Sequence, residues 1–541
     1  MGNPIRIGVL LDSTTVPRWV AYLLRAFMKE PGVELSLVII NGAKSTIDRQ
    51  ERRRLFLYRA YAWLDQRLFR RATNDAFDSV DMTGELAYVT TRTVVPEQKG
   101  FSDRFSSQDI QAIRNARLDV IFRFGYRILR GDILTAATHG IWSYHHGDPD
   151  EFRGAPPGFW EVMTGHSMMG SMLQRLSEEL DGGMALYRSW SHTDTLSVHR
   201  TKQAVYWKSV EFALRALRHL KRTGSVPVDE HARLVYDRPM YRAPRNTVMF
   251  VLMVRHLFRS VRYAWRQWFT RPFWSVFVGS STGKLPSLHR MSELHAPRGS
   301  YWADPCTASA DGKRFLFVEE FEYAKHKGRI AVLEQSGREW KRIGTALEES
   351  HHLSHPFIFR HDGNWYMIPE SSQAGTVDLY TSTRFPLEWK FQRHLFTDVR
   401  AVDAVIHYHE NRYWLFMNMA SHPAASTWDE LHVFSSNSPL GPWEPHPRNP
   451  IVSDVRRSRP AGRLFTHEGT LYRPAQDCAR GYGAALRLQK IARLTMTEYQ
   501  ESDGDLIEPK WLPGLAGVHS IDVEGRAMVV DALRFRPFWR R

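Results

Sequence analysis

The sequence predicts a multidomain chain of 541 residues: an α/β doubly wound domain, then an all-β five-bladed propeller. Three observations predict it. Residues 1–195 alternate buried strand-like runs with helix-spaced apolar segments. Residues 285–541 repeat an Asp-Gly-like turn at intervals of about 50–60 residues, a period suited to four-stranded blades. The stretch between, 196–284, changes composition and becomes strongly basic.

The N-terminal elements follow in order. IRIGVLLD reads as a buried strand and VPRWVAYLLRAFMK as an amphipathic helix. VELSLVIIN, LAYVTTRTVV and LDVIFRFG are further strands, followed by GIWSYHHG, MMGSMLQRL and GMALYRSW. Strands alternating with helices imply a parallel sheet covered on both faces. Ligands of such sheets bind at the carboxyl ends of the strands, and the loop after GIWSYHH is the candidate crevice.

The linker opens with the helix AVYWKSVEFALRALRHLK. Between Asp237 and Glu293 no acidic residue occurs. Arg255, Arg259, Arg262 and Arg266 fall on one helical face, with Phe250, Leu257, Val261, Trp265 and Trp268 opposite. Two readings follow: a helix packed between domains with its arginines in water, or a helix lying in a membrane interface over 242–274.

In the C-terminal half the turns are Asp311-Gly312, Asp362-Gly363, Glu410-Asn411, Glu468-Gly469 and Glu524-Gly525. Aromatic-rich strands such as FLFVEE, WYMIPE and YWLFMN follow them. Turns of this kind between apolar runs mark antiparallel hairpins.

Composition bounds the partners. Lys and Arg number 73 against 58 acidic residues, a net charge of +15, which favours anionic partners. Two cysteines exclude a disulfide framework and a cysteine-built zinc site, and no metal is expected. No run reaches the roughly 18–20 apolar residues of a membrane span. The chain enters its first strand without a signal-peptide pattern, so the expected address is cytoplasmic, with membrane contact peripheral and on the inner face.

The run Gly140-Ile141-Trp142-Ser143-Tyr144-His145, then Arg153-Gly154-Ala155-Pro156-Pro157, then Asp181-Gly182-Gly183, resembles the 10-formyltetrahydrofolate-dependent formyltransferase family. The resemblance covers about residues 5–195 and implies a Rossmann-like domain. It also implies 10-formyltetrahydrofolate as cofactor, His145, Asp181 and Ser143 as catalytic residues, and Arg153, Gly154, Gly182 and Gly183 as cofactor-binding positions. Ser143 stands where the family has the Asn that helps hold the formyl oxygen. The chemistry is coherent without the name: a His accepts the proton of an attacking amine, an Asp orients it, and an oxyanion needs donors. Ser143 is shorter than Asn and offers one donor where the amide offers two. A degenerate domain serving as a scaffold is the alternative.

The runs Trp302-Ala303-Asp304-Pro305, His352-Leu353-Ser354-His355-Pro356, Ile368-Pro369-Glu370 and Arg473-Pro474-Ala475-Gln476-Asp477 resemble family 43 glycoside hydrolase propellers. They resemble still more the N-terminal domain of plant glucosaminyl inositolphosphorylceramide transferases. Asp304 and Asp403 match the hydrolases' base and acid-tuning positions. The blade-four acid is replaced by Arg459-Pro460-Ala461, so hydrolysis lacks one of its two carboxylates. Asp304, Glu370, Asp403 and Asp477 are therefore read as carbohydrate-binding. The whole implies formyl or related one-carbon transfer to an amine of a sugar or glycoconjugate. The alternatives are a non-catalytic glycan- or glycolipid-binding adaptor and a propeller-centred glycosidase or glycosyltransferase. The expected partner is an amino sugar, a nucleotide sugar or a glycolipid; nucleic acid is not expected.

Overall fold

The computed structural model describes residues 3–43, 49–179, 182–229, 239–280, 288–525 and 527–538. Two compact units divide at Arg259/Ser260.

Unit 1 is built on one seven-stranded sheet. Its strands are β1 (Ile5–Leu11), β2 (Val33–Asn41), β3 (Thr91–Val94), β4 (Val120–Arg123), β5 (Ile141–His145), β6 (Met168–Arg175) and β7 (Met184–His192), in the order β7-β6-β5-β4-β1-β2-β3. The pairs β5/β4, β4/β1, β1/β2 and β2/β3 are parallel. The parallel expectation fails for the last two strands, because β5/β6 and β6/β7 are antiparallel. The short β6–β7 connection explains that pair: a parallel one needs a crossover of a dozen residues or more. The chain runs outward from β1 to β3 and returns at β4, so strand order reverses between β1 and β4.

Among the described residues, the four α-helices of nine residues or more that lie wholly in unit 1 are α1 (Arg18–Lys29), α2 (Phe56–Phe69), α3 (Ser107–Asn115) and α4 (Val198–Thr223). A fifth, α5 (Asn246–Phe269), contains the division between the units. Ile110 and Ile113 of α3 bury one face of the sheet with Leu10, Ile39, Ile121 and Ile141. On the other face Phe27 of α1 packs on Phe122 at 4.7 Å, and Trp207, Phe212 and Leu217 of α4 are buried. This burial makes α4 part of unit 1, although the sequence places 196–284 outside both domains.

Unit 2 consists of five antiparallel sheets, one for each predicted turn. Three are four-stranded meanders starting at Ser300–Ala310, Ser354–His361 and Ala401–His409. A fourth runs from Phe465–His467 through Tyr499–Ser502, with Leu506–Ile507 alongside. In four turns both central residues have positive φ, from Asp311 (52°) and Gly312 (76°) to Glu468 (47°) and Gly469 (76°). This is the backbone whose twist matches a two-residue hairpin.

The fifth sheet joins the beginning and end of the unit. Thr270–Ser280 pairs along its whole length with Ala527–Pro537, and Ser292–Glu293 and Ile521–Glu524 flank them. Thr270–Ser280 falls within the linker expected over 196–284; it forms a strand because Trp274, Val276 and Phe277 turn into the core.

Phe277 is wholly buried among Leu486, Leu488, Trp511 and Val530. Phe277→Ala is expected to lower the unfolding free energy by about 3–5 kcal/mol in denaturant melts. A loss below about 0.5 kcal/mol would mean that this strand is a surface linker.

Candidate functional site

Two constellations stand out, one in each unit. In unit 2 the same backbone irregularity recurs in three first strands. Pairing slips between Ala303 and Cys306, between Ser354 and Phe357, and between Val402 and Val405. Each bulge holds one residue at positive φ: Asp304 (48°), His355 (40°) and Asp403 (54°). A bulge re-aims one side chain without ending the strand, and Asp and His tolerate this region better than most residues.

These residues meet partners from two other sheets, Asp531 and Gln476, and from segments outside the strands, His519 and Arg459. His519 lies 3.2 Å from Asp304 Oδ1 and 2.8 Å from Asp531 Oδ2. Asp304 Oδ2 accepts from the backbone N–H of His355 at 3.2 Å. Arg459 donates through Nε and Nη2 to the two oxygens of Asp403, and Gln476 donates to Asp403 Oδ2 at 2.8 Å. Arg459 Nη2 also lies 3.5 Å from Glu370 Oε2, and its guanidinium sits over the Tyr482 ring at 4.8 Å. Tyr482 is 37% exposed, and Glu370 is the most open of these carboxyl groups.

Burial alone would raise Asp304, but the charge and hydrogen bond of His519 outweigh it and hold the carboxyl well below the usual range. Burial would likewise lower His519; Asp531 and Asp304 hold it well above an ordinary histidine. Asp403 is lowered against its burial by Arg459. Glu370 is driven well upward by burial and then by the charge of Asp403, and Glu319 by burial and then by that of Asp304. The site therefore combines aspartates, each held toward its ionised form by a cation, with glutamates pushed toward the protonated form by burial and neighbouring carboxylates. Such an arrangement can accept and donate hydrogen bonds to a polyhydroxylated ligand, and it holds carboxyl groups in the opposite states that acid–base chemistry requires.

Of the predicted residues, Asp304, Asp403 and Glu370 come together. Asp477 does not join this network: Arg487 and the N–H of Ala479 take its two oxygens. Glu319, Arg459, Tyr482, His519 and Asp531 were not predicted. Only Arg459 carried a signal, as the basic residue in the expected acid position. Asp304, His519 and Asp531 also lie close enough to share a cation, but both ring nitrogens of His519 already face carboxylates.

In unit 1 the carboxyl ends of β1, β4 and β5 gather Asp12, Arg123, Ser143 and His145. Ser143 and Arg123 are register partners on adjacent parallel strands, and Arg123 Nη1 donates to Ser143 Oγ at 3.2 Å. Arg123 Nη2 donates to Tyr126 O, while its Nε is shielded from solvent without a hydrogen-bond partner. Burial depresses Arg123, against the pull of Asp12 and Asp103. Asp12 Oδ1 accepts from the Tyr126 N–H at 2.8 Å, and a Cβ on Gly125 would lie 2.5 Å from the Asp12 nitrogen, so the turn requires glycine there.

The positions around them divide. His146 is a packing residue, stacked on Tyr206 at 3.6 Å and hydrogen-bonded to Ser209. Gly154 (φ 109°) lies against residue 241, where a Cβ would meet Tyr241 O at 2.4 Å; the Arg153 carbonyl accepts from Tyr241 N–H. That backbone is thus engaged within unit 1. Gly183 permits the close hairpin approach to Arg175 O, and a Cβ on Gly182 would meet the Glu179 side chain. Asp181 lies outside the described residues, and with it the pairing to His145.

Residues 289–510 match the family model described as glucosamine inositolphosphorylceramide transferase 1, N-terminal. That segment contains Asp304, Glu370, Asp403 and Arg459, but not His519 or Asp531. A glucosamine inositolphosphorylceramide transferase 1 from Oryza sativa subsp. japonica is 38% identical over 206 residues, which are 37% of this chain and 28% of the relative. The Arabidopsis thaliana protein of that name is 37% identical over 206 residues, 37% of this chain and 27% of its own length. The matched segment thus spans less than a third of these relatives. A methionyl-tRNA formyltransferase from Caulobacter sp. (strain K31) is 30% identical over 118 residues, 21% of this chain and 38% of that protein. Among solved structures, a family 117 glycoside hydrolase from Zobellia galactanivorans covers 48% of this chain at 13% identity, with 91% of its own chain covered and a TM-score of 0.32.

His519 tests the buried charge network of unit 2. Its raised pKa contributes stability below the unfolded value near 6.5, and that contribution is lost as pH rises through the folded value. Asp304, held low, contributes above about 3.9 and loses its contribution as pH falls through its folded value. His519→Gln is expected to cost about 3–5 kcal/mol at neutral pH, because two buried carboxylates lose their cation. The deficit should shrink toward pH 4 as protons replace the lost charge. A pH-independent deficit in thermal melts would contradict the pairing.

Proposed function

We propose that the protein is a transferase acting on an amine-bearing glycoconjugate, in which the five sheets of unit 2 close as propeller blades around a carbohydrate site. The observation that carries this reading is the buried polar cluster in which Asp304, His355 and Asp403, from the bulged first strands of three sheets, meet Arg459 and His519 from segments outside the strands. The sheet joining Thr270–Ser280 to Ala527–Pro537 supports closure, because it ties the first blade strand to the last. The matched relatives bear a name that joins an amino sugar to a phosphorylated ceramide, which favours a glycolipid with an amino sugar as the ligand.

Tyr482 offers a ring to a sugar, and Glu370, on the other side of the shared Arg459 contact, offers a carboxyl pushed toward its protonated form. Tyr482→Ala is expected to weaken binding of amino-sugar glycolipid headgroups by roughly 5–10-fold in calorimetry, with unchanged melting. Glu370→Gln, a neutral isostere of the protonated acid, is expected to keep affinity within about twofold. Full-strength binding by Tyr482→Ala would remove the sugar site. The opposed states of Glu370 and Asp304 favour one second reading, cleavage or transfer at a glycosidic bond. In that case Glu370→Gln would bind normally and lose turnover.

Unit 1 would supply formyl or related one-carbon transfer, with 10-formyltetrahydrofolate as donor. The residues present fit such a group through Arg123, whose shielded Nε lacks a partner and which has no carboxylate in ion-pair range among the described residues. Bound there, the folate supplies the formyl group. Arg123 then contributes the hydrogen-bond donors that Ser143 cannot, at the strand end where negative charge develops. His145 takes the proton of the attacking amine. His145→Ala is expected to abolish transfer to amino sugars in a folded protein, and Arg123→Gln to slow it about 100–1000-fold. Retained turnover in the His145 variant would overturn this assignment without touching the sugar site.

A further inference from the structure

The outer faces of α2 and of α5 up to Arg259 are apolar and uncovered. The two helices are joined in unit 1. The Asn246 side chain donates to Arg53 O at 2.9 Å and accepts from Leu57 N at 3.0 Å. Leu57, Tyr58 and Tyr61 of α2 pack with Met249 and Leu252 of α5 around Phe159 and Met163. The inward side of α5 even takes Arg259, which donates to Thr195 O and Val162 O. The arginine stripe expected in water is therefore partly turned inward, and the apolar face is turned out. Phe56 (63% exposed), Trp63 (62%) and Leu68 (65%) project from α2, and Phe250 (62%), Leu257 (62%) and Phe258 (73%) from α5.

A patch of this kind on a soluble unit marks an interaction surface, and the charge around it selects the partner. Arg52, Arg53 and Arg54 precede α2, Arg59 and Arg67 lie along it, and Arg255 lies on α5, all exposed. Arg70 pairs with Asp78, but none of those six is ion-paired to a carboxylate among the described residues. Asp65, the acidic residue within α2, is buried against the His199 N–H. Aromatic and leucine side chains flanked by unpaired arginines match the boundary between acyl chains and acidic headgroups. A nucleic acid would satisfy the arginines and leave the apolar rings in water. No described helix is long and apolar enough to cross a membrane.

We propose that α2 and the first half of α5 form an interfacial surface that docks unit 1 on an anionic phospholipid bilayer. The arginines attract the headgroups, and Phe56, Trp63, Leu68, Phe250, Leu257 and Phe258 enter the acyl boundary. This surface is separate from the sugar site of unit 2 and stands or falls independently of it.

The test is co-sedimentation of the full chain with vesicles of about 30% phosphatidylserine in phosphatidylcholine, beside pure phosphatidylcholine. The expected result is binding to the anionic vesicles that weakens with salt. Phe250→Ser/Leu257→Ser/Phe258→Ser is expected to weaken it at least about 10-fold with an unchanged melting curve, because exposed side chains carry no core packing. Arg52→Glu/Arg53→Glu/Arg54→Glu, read on the same vesicles, is expected to remove the preference for phosphatidylserine. Equal sedimentation of parent and triple-serine protein would overturn the proposal. So would a parent that forms dimers, binds no vesicles and becomes monomeric in the serine variant, since the patch would then be a self-association surface.

Discussion

Buried charge in unit 2 sits in opposite-sign pairs, which the fold supplies by bulging Asp304 and Asp403 out of their strands to meet His519 and Arg459 from segments between strands. Removing an ion from water costs several kcal/mol even after relaxation, so an isolated Asp304 or Asp403 would neutralise or unfold its surroundings. His519 between Asp304 and Asp531, and Arg459 across both oxygens of Asp403, answer that cost. The price falls on the backbone, as three non-glycine residues at positive φ in bulges. The same pairing leaves Glu370 and Glu319 without a charge that offsets their burial, and both are pushed toward the protonated form. Structure and chemistry in this unit thus share one origin.

Unit 1 follows a related logic at smaller scale. A short side chain at Ser143 leaves room for the guanidinium of its register partner Arg123. An asparagine would fill that space with an amide and compete for the same corner. A guanidinium prefers a full or developing negative charge, so these strand ends present a different electrostatic environment from that of a neutral amide donor. The glycine turn at Gly125, forced by the approach of Asp12, fixes where that charge sits.

Much of this was legible in the sequence, and what was not shares a physical cause. The Asp-Gly-like turns announced themselves because a two-residue hairpin demands positive φ at both centres, which few residues accept. Asp304, Asp403 and Glu370 were readable from local motifs. His519, Asp531 and Glu319 were not, since their roles arise from contacts between sheets far apart in the chain. Asp477 misled for the opposite reason: its motif is local, but Arg487 on the neighbouring antiparallel strand claims it. Strand Thr270–Ser280 was hidden because its partner lies in the last residues of the chain and no turn signal joins them. Periodicity on α5 revealed an amphipathic helix but not which face is covered, since that depends on α2 and on Phe159 and Met163.

On the proposed function, an amino-sugar headgroup is held at the cluster of Asp304, Asp403, Arg459 and His519 in unit 2. Hydrogen–deuterium exchange of the full chain, with and without saturating headgroup, tests it most directly. The account predicts slowed exchange at the bulges, 302–306, 353–357 and 401–405, together with 457–463 and 517–522. Protection confined to residues 141–147 of unit 1, with those five segments unchanged, would contradict it.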